Sequence, residues 1–322
     1  MTKIVIVDTS FDDLRICEDL VRQADMEFAV FHDPSEDGII ENAADADGII
    51  TSYGQFTKRV IDALPKCRVI SRTGVGVDNV DIPAATARGI AVCNVPGYAT
   101  DVVSDHAVTL ALAVLRRITE LDANLRKGQW DFLVARPFGQ VHGRTFGVVG
   151  MGNIGRAVAE KARGLGFRVV CTSHSLQPGD HTPEGFPVLA FEDVLRQADV
   201  VSFHTALLPE TRHLLDADAI ALMKPDAVVV NTSRGPIIDT KALAEALVEG
   251  RLFGAGLDVF EGEPISPDDP LLAAPHTVLT PHAAFWSEQS GAELIRRATQ
   301  APIDVLQGLV PHDCLNPQVF KR

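Results

Sequence analysis

The 322-residue sequence has few of the features that place a chain in a membrane, on a secretory route or around a structural metal. No apolar run approaches the roughly 18 residues that suggest a membrane-spanning helix. The start, Met1-Thr2-Lys3-Ile4-Val5-Ile6-Val7-Asp8, is too short and turns acidic too soon for a secretory leader, and it reads as a first strand. Five cysteines (Cys17, Cys67, Cys93, Cys171 and Cys314) are scattered, with no CxxC pair. An odd, dispersed set predicts free thiols in a reducing compartment, and so the cytoplasm. With no HExxH and no clustered thiols, no metal site is expected. Basic residues are scarce: 29 Lys and Arg stand against 43 Asp and Glu, a formal net charge of −14. Such a field repels nucleic acid and anionic membrane, while leaving room for a local basic pocket.

What the sequence does have is a globular balance, 46% hydrophobic and 22% charged, at a length that suits about two domains. Short apolar, β-branched runs recur at Ile4–Val7, Gly48–Thr51, Val69–Arg72, Ile90–Asn94, Phe146–Gly150, Val169–Thr172, Val200–His204, Val228–Thr232, Ala255–Val259 and Thr277–Thr280. Helical stretches separate them. This alternation predicts an α/β class with parallel sheets covered on both faces. One boundary falls near Pro96-Gly97-Tyr98, after which Ala107, Leu110, Ala111, Val114, Ile118, Leu121 and Leu125 keep helical spacing. That pattern predicts one long helix over about 101–127, with Asp101 as N-cap and Gly128 as its stop. A second boundary lies near Pro281 to Trp286. A further helix follows over about 288–307, ended by Gly308.

The most informative segment is Gly150-Met151-Gly152-Asn153-Ile154-Gly155, with the strand Phe146-Gly147-Val148-Val149 before it and a helical stretch after it. Gly150 permits a tight turn, Gly152 lets backbone approach a pyrophosphate, and Gly155 lets the helix pack close to the strand. The new helix offers free N–H groups and a positive dipole end to phosphates. A lone GxGxxG says little; a strand before it, a helix after it and another strand at Val169 point to a dinucleotide. One expected part is absent. An Asp or Glu about 20 residues beyond the first glycine usually binds the adenosine ribose hydroxyls, whereas here the next strand ends Cys171-Thr172-Ser173-His174-Ser175. Without the carboxylate nothing repels a 2′-phosphate, yet no Arg, its usual partner, stands beside these donors. The reading therefore leaves NAD(H) and NADP(H) both open.

Reducing a 2-oxo acid builds negative charge on the carbonyl oxygen. The chemistry calls for a cation on the carboxylate and carbonyl and for an acid to deliver a proton, a role that suits His beside a carboxylate. Three strand ends carry such groups: Asn231-Thr232-Ser233-Arg234-Gly235, Leu257-Asp258-Val259-Phe260-Glu261-Gly262-Glu263-Pro264 and Leu279-Thr280-Pro281-His282-Ala283-Ala284. Spacing alone does not prove that they converge. An Arg on a loop is more often solvated, and a lone His is more often a satisfied core residue. These segments, with Gly74-Val75-Gly76-Val77-Asp78-Asn79-Val80-Asp81 and the GMGNIG loop, resemble the D-isomer-specific 2-hydroxyacid dehydrogenase family over nearly the whole chain.

The resemblance implies two doubly wound parallel-sheet domains, a Rossmann cofactor domain (about 99–284) inserted into a flavodoxin-like substrate domain (about 1–98 and 285–322), with the catalytic cleft at their junction. It implies that Arg234 binds and polarises the 2-oxo acid, that His282 donates the proton and that Glu263 orients His282. Gly74, Val75 and Gly76 would offer backbone N–H groups to the substrate carboxylate, with Val75 also near the cofactor. The loop Gly150, Gly152, Asn153, Ile154 and Gly155 would meet the pyrophosphate. Ser173 takes the ribose-carboxylate position, Thr205 and Thr232 would line the cofactor, and Asp258 would bind the carboxamide. The long helix after Tyr98 implies a homodimer. Trp130, Arg136-Pro137 and His282 to Glu288 look most like the C-terminal-binding-protein-like branch, which contains both dehydrogenases and corepressors. A nicotinamide-sensing corepressor role, or oxidation of another small anion, therefore stands as the alternative. Formate is disfavoured, because formate enzymes of the family pair the His with Gln, not Glu. His106 and His204 are expected to be structural or cofactor-adjacent, and Trp286 to be either core filler or pocket wall.

Overall fold

The structure, a computed structural model, describes residues 1–9, 11–137 and 140–321. The chain forms two compact units, Met1–Ala99 with Ser287–Arg322, and Thr100–Trp286. The second is an insertion in the first. Among the described residues no helix is long and apolar enough to cross a membrane.

The first unit holds a five-stranded sheet of β1 (Lys3–Ile6), β2 (Glu27–Val30), β3 (Gly48–Thr51), β4 (Val69–Arg72) and β5 (Ala91–Cys93), all parallel, in the order β2-β1-β3-β4-β5. That order is the flavodoxin-like one. Its helices are α1 (Arg15–Gln23), α2 (Glu36–Ala43), α3 (Lys58–Asp62), α4 (Ile82–Ala87) and the C-terminal α11 (Glu288–Leu306). Local signals set their starts. Ser35 caps α2 through the Gly38 N–H, Asp81 caps α4 through the Ala84 N–H, and Ser287 with Ser290 forms a capping box on α11. Val5, Ile39, Ile49, Phe56, Ile61, Leu64, Ile70 and Val92 are fully enclosed on one face of the sheet. Each such side chain contributes roughly 1.5–3 kcal/mol by leaving water.

The second unit carries β6 (Thr145–Val149), β7 (Arg168–Thr172), β8 (Val200–Phe203), β9 (Val228–Asn231), β10 (Gly254–Leu257) and β11 (Thr277–Leu279), again all parallel, in the order β11-β10-β9-β8-β6-β7. Val188 adds a single parallel bridge to Cys171 on the outer side of β7. With that residue counted as a vestigial third strand, the order is the Rossmann 3-2-1-4-5-6 arrangement extended by one strand. The helices are α5 (Thr100–Leu115), α6 (Ile118–Arg126), α7 (Asn153–Gly164), α8 (Phe191–Gln197), α9 (Ala217–Ala221) and α10 (Thr240–Val248). Two apolar layers cover the two faces of this sheet, one around Phe203, Leu215, Leu243 and Leu257, the other around Leu110, Phe146, Val158 and Phe167. The α/β class and both parallel sheets agree with the expectation.

One expectation fails. The helix predicted as continuous over about 101–127 is broken into α5 and α6 by Arg117, whose backbone is left-handed (φ 47°). Tertiary contacts hold the break: the buried Arg117 guanidinium stacks over Phe253 at 4.8 Å, donates to Glu120 Oε2 at 3.1 Å and meets His276 at 2.7 Å. Asp101 lies inside the first turn of α5, not at its cap. Gly128, at φ 78°, does end α6.

Candidate active site

The turn from β6 into α7 is built around its glycines. Gly150 has a φ of 99°, and a Cβ there would lie 2.8 Å from the His204 carbonyl oxygen. Gly155 packs so closely on the turn that a Cβ would stand 1.9 Å from the Gly150 carbonyl oxygen. In front of Gly152, by contrast, a Cβ would meet no protein atom within 4 Å. Gly152 and Asn153 are exposed, and Ile154 is half-buried against the core. The first helical bond of α7 belongs to Arg156, which donates to the Gly152 carbonyl. The N–H groups of the preceding first turn are thus left for an anion, at the positive end of the helix.

Two enclosed polar atoms lie on neighbouring strand ends of the same sheet. Thr232 Oγ1, after β9, and His204 Nδ1, after β8, are buried without a hydrogen-bond partner. Burial pushes the His204 imidazole down to about 3, so it stays neutral, and its Nε2 meets Ser202 Oγ at 2.8 Å. An unpartnered buried polar group costs roughly 1–3 kcal/mol, which a polar ligand would relieve. Open space at Gly152, a free helix N-terminus and these two atoms fit a dinucleotide. Thr205 packs beside the loop, its N within 3.0 Å of where a Gly150 Cβ would sit.

At the expected ribose position Ser173 Oγ accepts from the Ser175 N–H at 3.3 Å and lies 3.2 Å from Ser175 Oγ. The hydroxyls engage each other, and no carboxylate stands at Ser173.

The strand ends of β9, β10 and β11 bring three groups together. His282 Nδ1 lies 2.7 Å from Glu263 Oε2. The other carboxylate oxygen, Oε1, accepts from the Phe260 N–H at 3.0 Å. Burial pushes the Glu263 carboxyl up. The bond to His282, its charge, the Phe260 N–H and the charge of Arg234 together outweigh that and hold it below the usual carboxylate range. Glu263 is therefore ionised at neutral pH. With Nδ1–H donating to it, Nε2 is the ring nitrogen left to carry a transferable proton. His282 sits at φ 51°, a sparsely populated conformation for a non-glycine residue, fixed by its N–H donating to the Asp258 carbonyl at 2.8 Å. Arg234 is half-buried and begins a short turn after β9. Its neighbour Gly235 abuts the Glu263 loop so tightly that a Cβ would lie 1.9 Å from the Phe260 carbonyl carbon.

Four supports hold these loops, three of them in roles that the sequence does not signal. Asn231 is buried and threads the arginine loop, accepting from the Ser233 N–H at 3.0 Å and donating to the Arg234 carbonyl at 2.9 Å. Asp258, also buried, accepts from Thr280 Oγ1 at 2.5 Å, the Ala283 N–H at 2.8 Å and the Ala284 N–H at 2.9 Å, so its carboxylate organises the histidine loop. His106 reaches the same loop through Thr280 Oγ1 at 2.9 Å. A second His–Glu pair, His213 Nε2 with Glu261 Oε1 at 2.6 Å, clips the loop after β8 to the Glu263 loop. The only advance signal was the density of polar residues at strand ends. Phe285 stands edge-on to His282 at 6.1 Å and to the half-exposed Trp286 at 6.3 Å, which makes Trp286 part of an aromatic run beside His282.

In the first unit, Gly74 takes a φ of 151°, and the Arg72 guanidinium lies across it. Val75 is 43% exposed, leaving this loop available. Asn94 Nδ2 donates to the Val75 carbonyl at 2.6 Å, and the Val95 N–H donates to the Gly74 carbonyl at 2.8 Å, fixing the loop from the end of β5. Among the described residues no His, Cys, Asp and Glu cluster is arranged to hold a metal.

Comparison with known proteins gives the same chemistry. Residues 108–284 match the model for "D-isomer specific 2-hydroxyacid dehydrogenase, NAD binding domain". A glyoxylate reductase of Korarchaeum cryptofilum is 40% identical over 294 residues, 89% of this chain and 88% of that protein. Among solved structures, an acyclic imino acid reductase in complex with NADPH and D-Arg superposes with a TM-score of 0.89 at 26% identity, covering 98% of this chain and all of that one. D-lactate dehydrogenase with NAD+ from Lactobacillus jensenii gives 0.78 at 26% identity, over 98% and 99%.

Proposed function

This chain belongs to the D-isomer-specific 2-hydroxyacid dehydrogenase family and exchanges a hydride between a nicotinamide dinucleotide and a small 2-hydroxy or 2-oxo acid; on that premise we propose that it reduces glyoxylate and similarly short 2-oxo acids in the cytoplasm, with Arg234, Glu263 and His282 as the reacting set. The observation that carries this reading is the 2.7 Å His282–Glu263 pair on a carboxylate that also feels Arg234. The substrate class draws on the glyoxylate reductase of Korarchaeum cryptofilum. Steady-state reduction of glyoxylate, compared with a 2-oxo acid bearing a branched side chain, tests it. A clear preference for the branched acid would overturn the short-acid assignment.

When bound, the nicotinamide dinucleotide supplies the hydride. The chain does the rest. The first turn of α7 and the loop from Gly150 to Gly155 would hold the pyrophosphate, with Thr205 and Thr232 lining the cofactor; the Asp258 carboxylate, expected at the carboxamide, is enclosed and holds the histidine loop instead. Arg234 offers a planar fork to the substrate carboxylate and the 2-oxo oxygen, where charge grows in the transition state. The backbone N–H groups of Val75 and Gly76 are proposed as further donors to the carboxylate; that of Gly74, expected to join them, is instead spent on the Arg72 carbonyl at 2.9 Å. His282 Nε2 delivers the proton to that oxygen, while Glu263 keeps the ring oriented and stabilises its charged form. The first unit is thus assigned to substrate and the second to cofactor. The exposed apolar residues Ile118, Leu125, Trp130, Phe132 and Leu133 on α6 and the segment after it are assigned to a second copy of the chain, which sedimentation equilibrium would detect as a dimer.

Glu263→Gln is expected to lower kcat/KM for 2-oxo acid reduction, because the 2.7 Å contact that orients His282 loses its charged acceptor. Steady-state kinetics on the folded variant check it, and an unchanged kcat/KM counts against the pair.

Cofactor choice follows from Ser173. A carboxylate there would bind the ribose diol and repel a 2′-phosphate, and Ser173 does neither strongly. NADPH and NADH are expected to support turnover within roughly tenfold of each other, a gap of about 1.4 kcal/mol. Ser173→Asp should restore a strong preference for NADH, chiefly by weakening NADPH. Catalytic efficiencies with both cofactors, before and after the change, decide this. A wild-type enzyme that already rejects NADPH would mean that another residue reads the ribose.

A further inference from the structure

Cys93 ends β5, and Cys314 lies in the C-terminal tail, directly opposite it in an antiparallel bridge. The flanking backbone bonds define the type of pair. Leu315 N–H donates to the Val92 carbonyl at 2.8 Å, and Asn94 N–H donates to the Asp313 carbonyl at 3.4 Å, one residue to either side of the cysteines. The cysteines therefore occupy a non-hydrogen-bonded position, where facing Cα atoms approach to about 4.5 Å and side chains come closest. Disulfides span Cα separations of roughly 4.4–6.8 Å, so the backbone already meets the requirement. The tail is held by other means as well. Asn316 accepts from the Val92 N–H at 2.8 Å and donates to the Ile90 carbonyl at 2.9 Å, and Arg297 bonds Asp313 Oδ2 at 2.5 Å. Cys314 is half-buried and so reachable from solvent, and Cys93 is buried behind it.

We propose that Cys93 and Cys314 form a peroxide-oxidisable dithiol that closes to an intrachain disulfide, stapling the C-terminal tail to the end of β5. All five thiols are free in the resting protein. Cys314 is the attacking sulfur. Its thiolate attacks one oxygen of hydrogen peroxide, the O–O bond breaks, and hydroxide leaves and takes a proton to become water. The Cys93 sulfur, giving up its proton, then attacks the Cys314 sulfenic sulfur. The S–S bond forms, the S–O bond breaks, and the second oxygen leaves as water. Two thiols are oxidised to one disulfide, and one peroxide is reduced to two waters.

The hydrogen bond from Cys93 draws the Cys314 thiol down to about 7, which makes it nucleophilic near neutral pH. That same bond, followed by burial, pushes Cys93 up, and its contribution ends once Cys314 is oxidised. The other cysteines are built differently. Burial raises Cys17, Cys67 (to about 12) and Cys171 (to about 11), and all three are enclosed. They serve as internal controls.

The test uses the native full-length protein, treated with hydrogen peroxide, then denatured, alkylated and mapped by mass spectrometry. The expected result is loss of the mass of two hydrogens, loss of alkylation at Cys93 and Cys314 alone, and one linked peptide pair containing both. In Cys93→Ser, Cys314 should stop at the sulfenic acid and be trapped by dimedone. Continued alkylation of both cysteines in the wild-type protein, or a dimedone adduct on Cys314 with no linked peptide, overturns the proposal. So does a linkage that joins two separate chains.

Discussion

Replacing His282 with Ala is expected to lower kcat/KM for 2-oxo acid reduction by roughly 10²–10⁴-fold, the range that a positioned general acid supplies. The ring is held by a carboxylate from the neighbouring strand end, its Nδ1 committed to Glu263 Oε2 at 2.7 Å. Removing it leaves the carbonyl oxygen to take its proton from water. Cofactor binding should survive, because the Gly150–Gly155 turn and the first turn of α7 owe nothing to His282. The ring is also one-quarter exposed and sits on a loop fixed by the Asp258 carboxylate through Ala283 and Ala284, so the loop should keep its shape. Nicotinamide fluorescence titration and steady-state kinetics on the same preparation separate the two effects. Near-normal turnover in a folded variant would remove His282 from the reaction.

Arg234→Lys is expected to cost roughly 10²–10³-fold in kcat/KM, comparable to losing a donor aimed at developing charge. The positive charge stays, but the planar fork that grips carboxylate and carbonyl together is lost. The loop itself should hold, since Asn231 fastens it through the Ser233 N–H and the Arg234 carbonyl, bonds that the side chain does not make. The loss should therefore fall on catalysis and leave thermal unfolding little changed. Kinetics indistinguishable from wild type would make Arg234 a surface charge.

Much of this was legible in the chain because the signals were local. The GMGNIG turn, bracketed by strand and helix, identified the dinucleotide fold from glycine chemistry alone, and the parallel strands stood out as Val- and Ile-rich runs. What escaped was set by tertiary contacts. β2, with the sequence Glu-Phe-Ala-Val, is an edge strand with no fully buried residue, so no apolar run marked it. The third Rossmann strand has shrunk to one bridge at Val188. The apolar spacing from Ala107 to Leu125 runs on through Arg117, because the break between α5 and α6 is imposed by Phe253 and His276 from outside the pattern.

The site divides in the same way. Arg234, Glu263 and His282 lie on three separate strand ends, and only resemblance to the family linked them before the geometry did. The positioning roles of Asn231, Asp258 and the His213–Glu261 clip had no sequence signature, since each depends on which backbone amide a strand end happens to face. The same limit hid the Cys93–Cys314 pair, whose members are 221 positions apart. Scattered cysteines carry no sign of pairing until the tail is laid against β5.

The reaction passes a hydride to the carbonyl carbon of a 2-oxo acid. The most direct measurement supplies the reduced cofactor deuterated on the transferred face of the nicotinamide ring, with pyruvate as the acid, and locates the label in the product by mass spectrometry and NMR. Deuterium is expected at C2 of D-lactate and nowhere else. A product without the label at C2, or no reduction of pyruvate or glyoxylate with either cofactor by a folded, cofactor-binding protein, would contradict it.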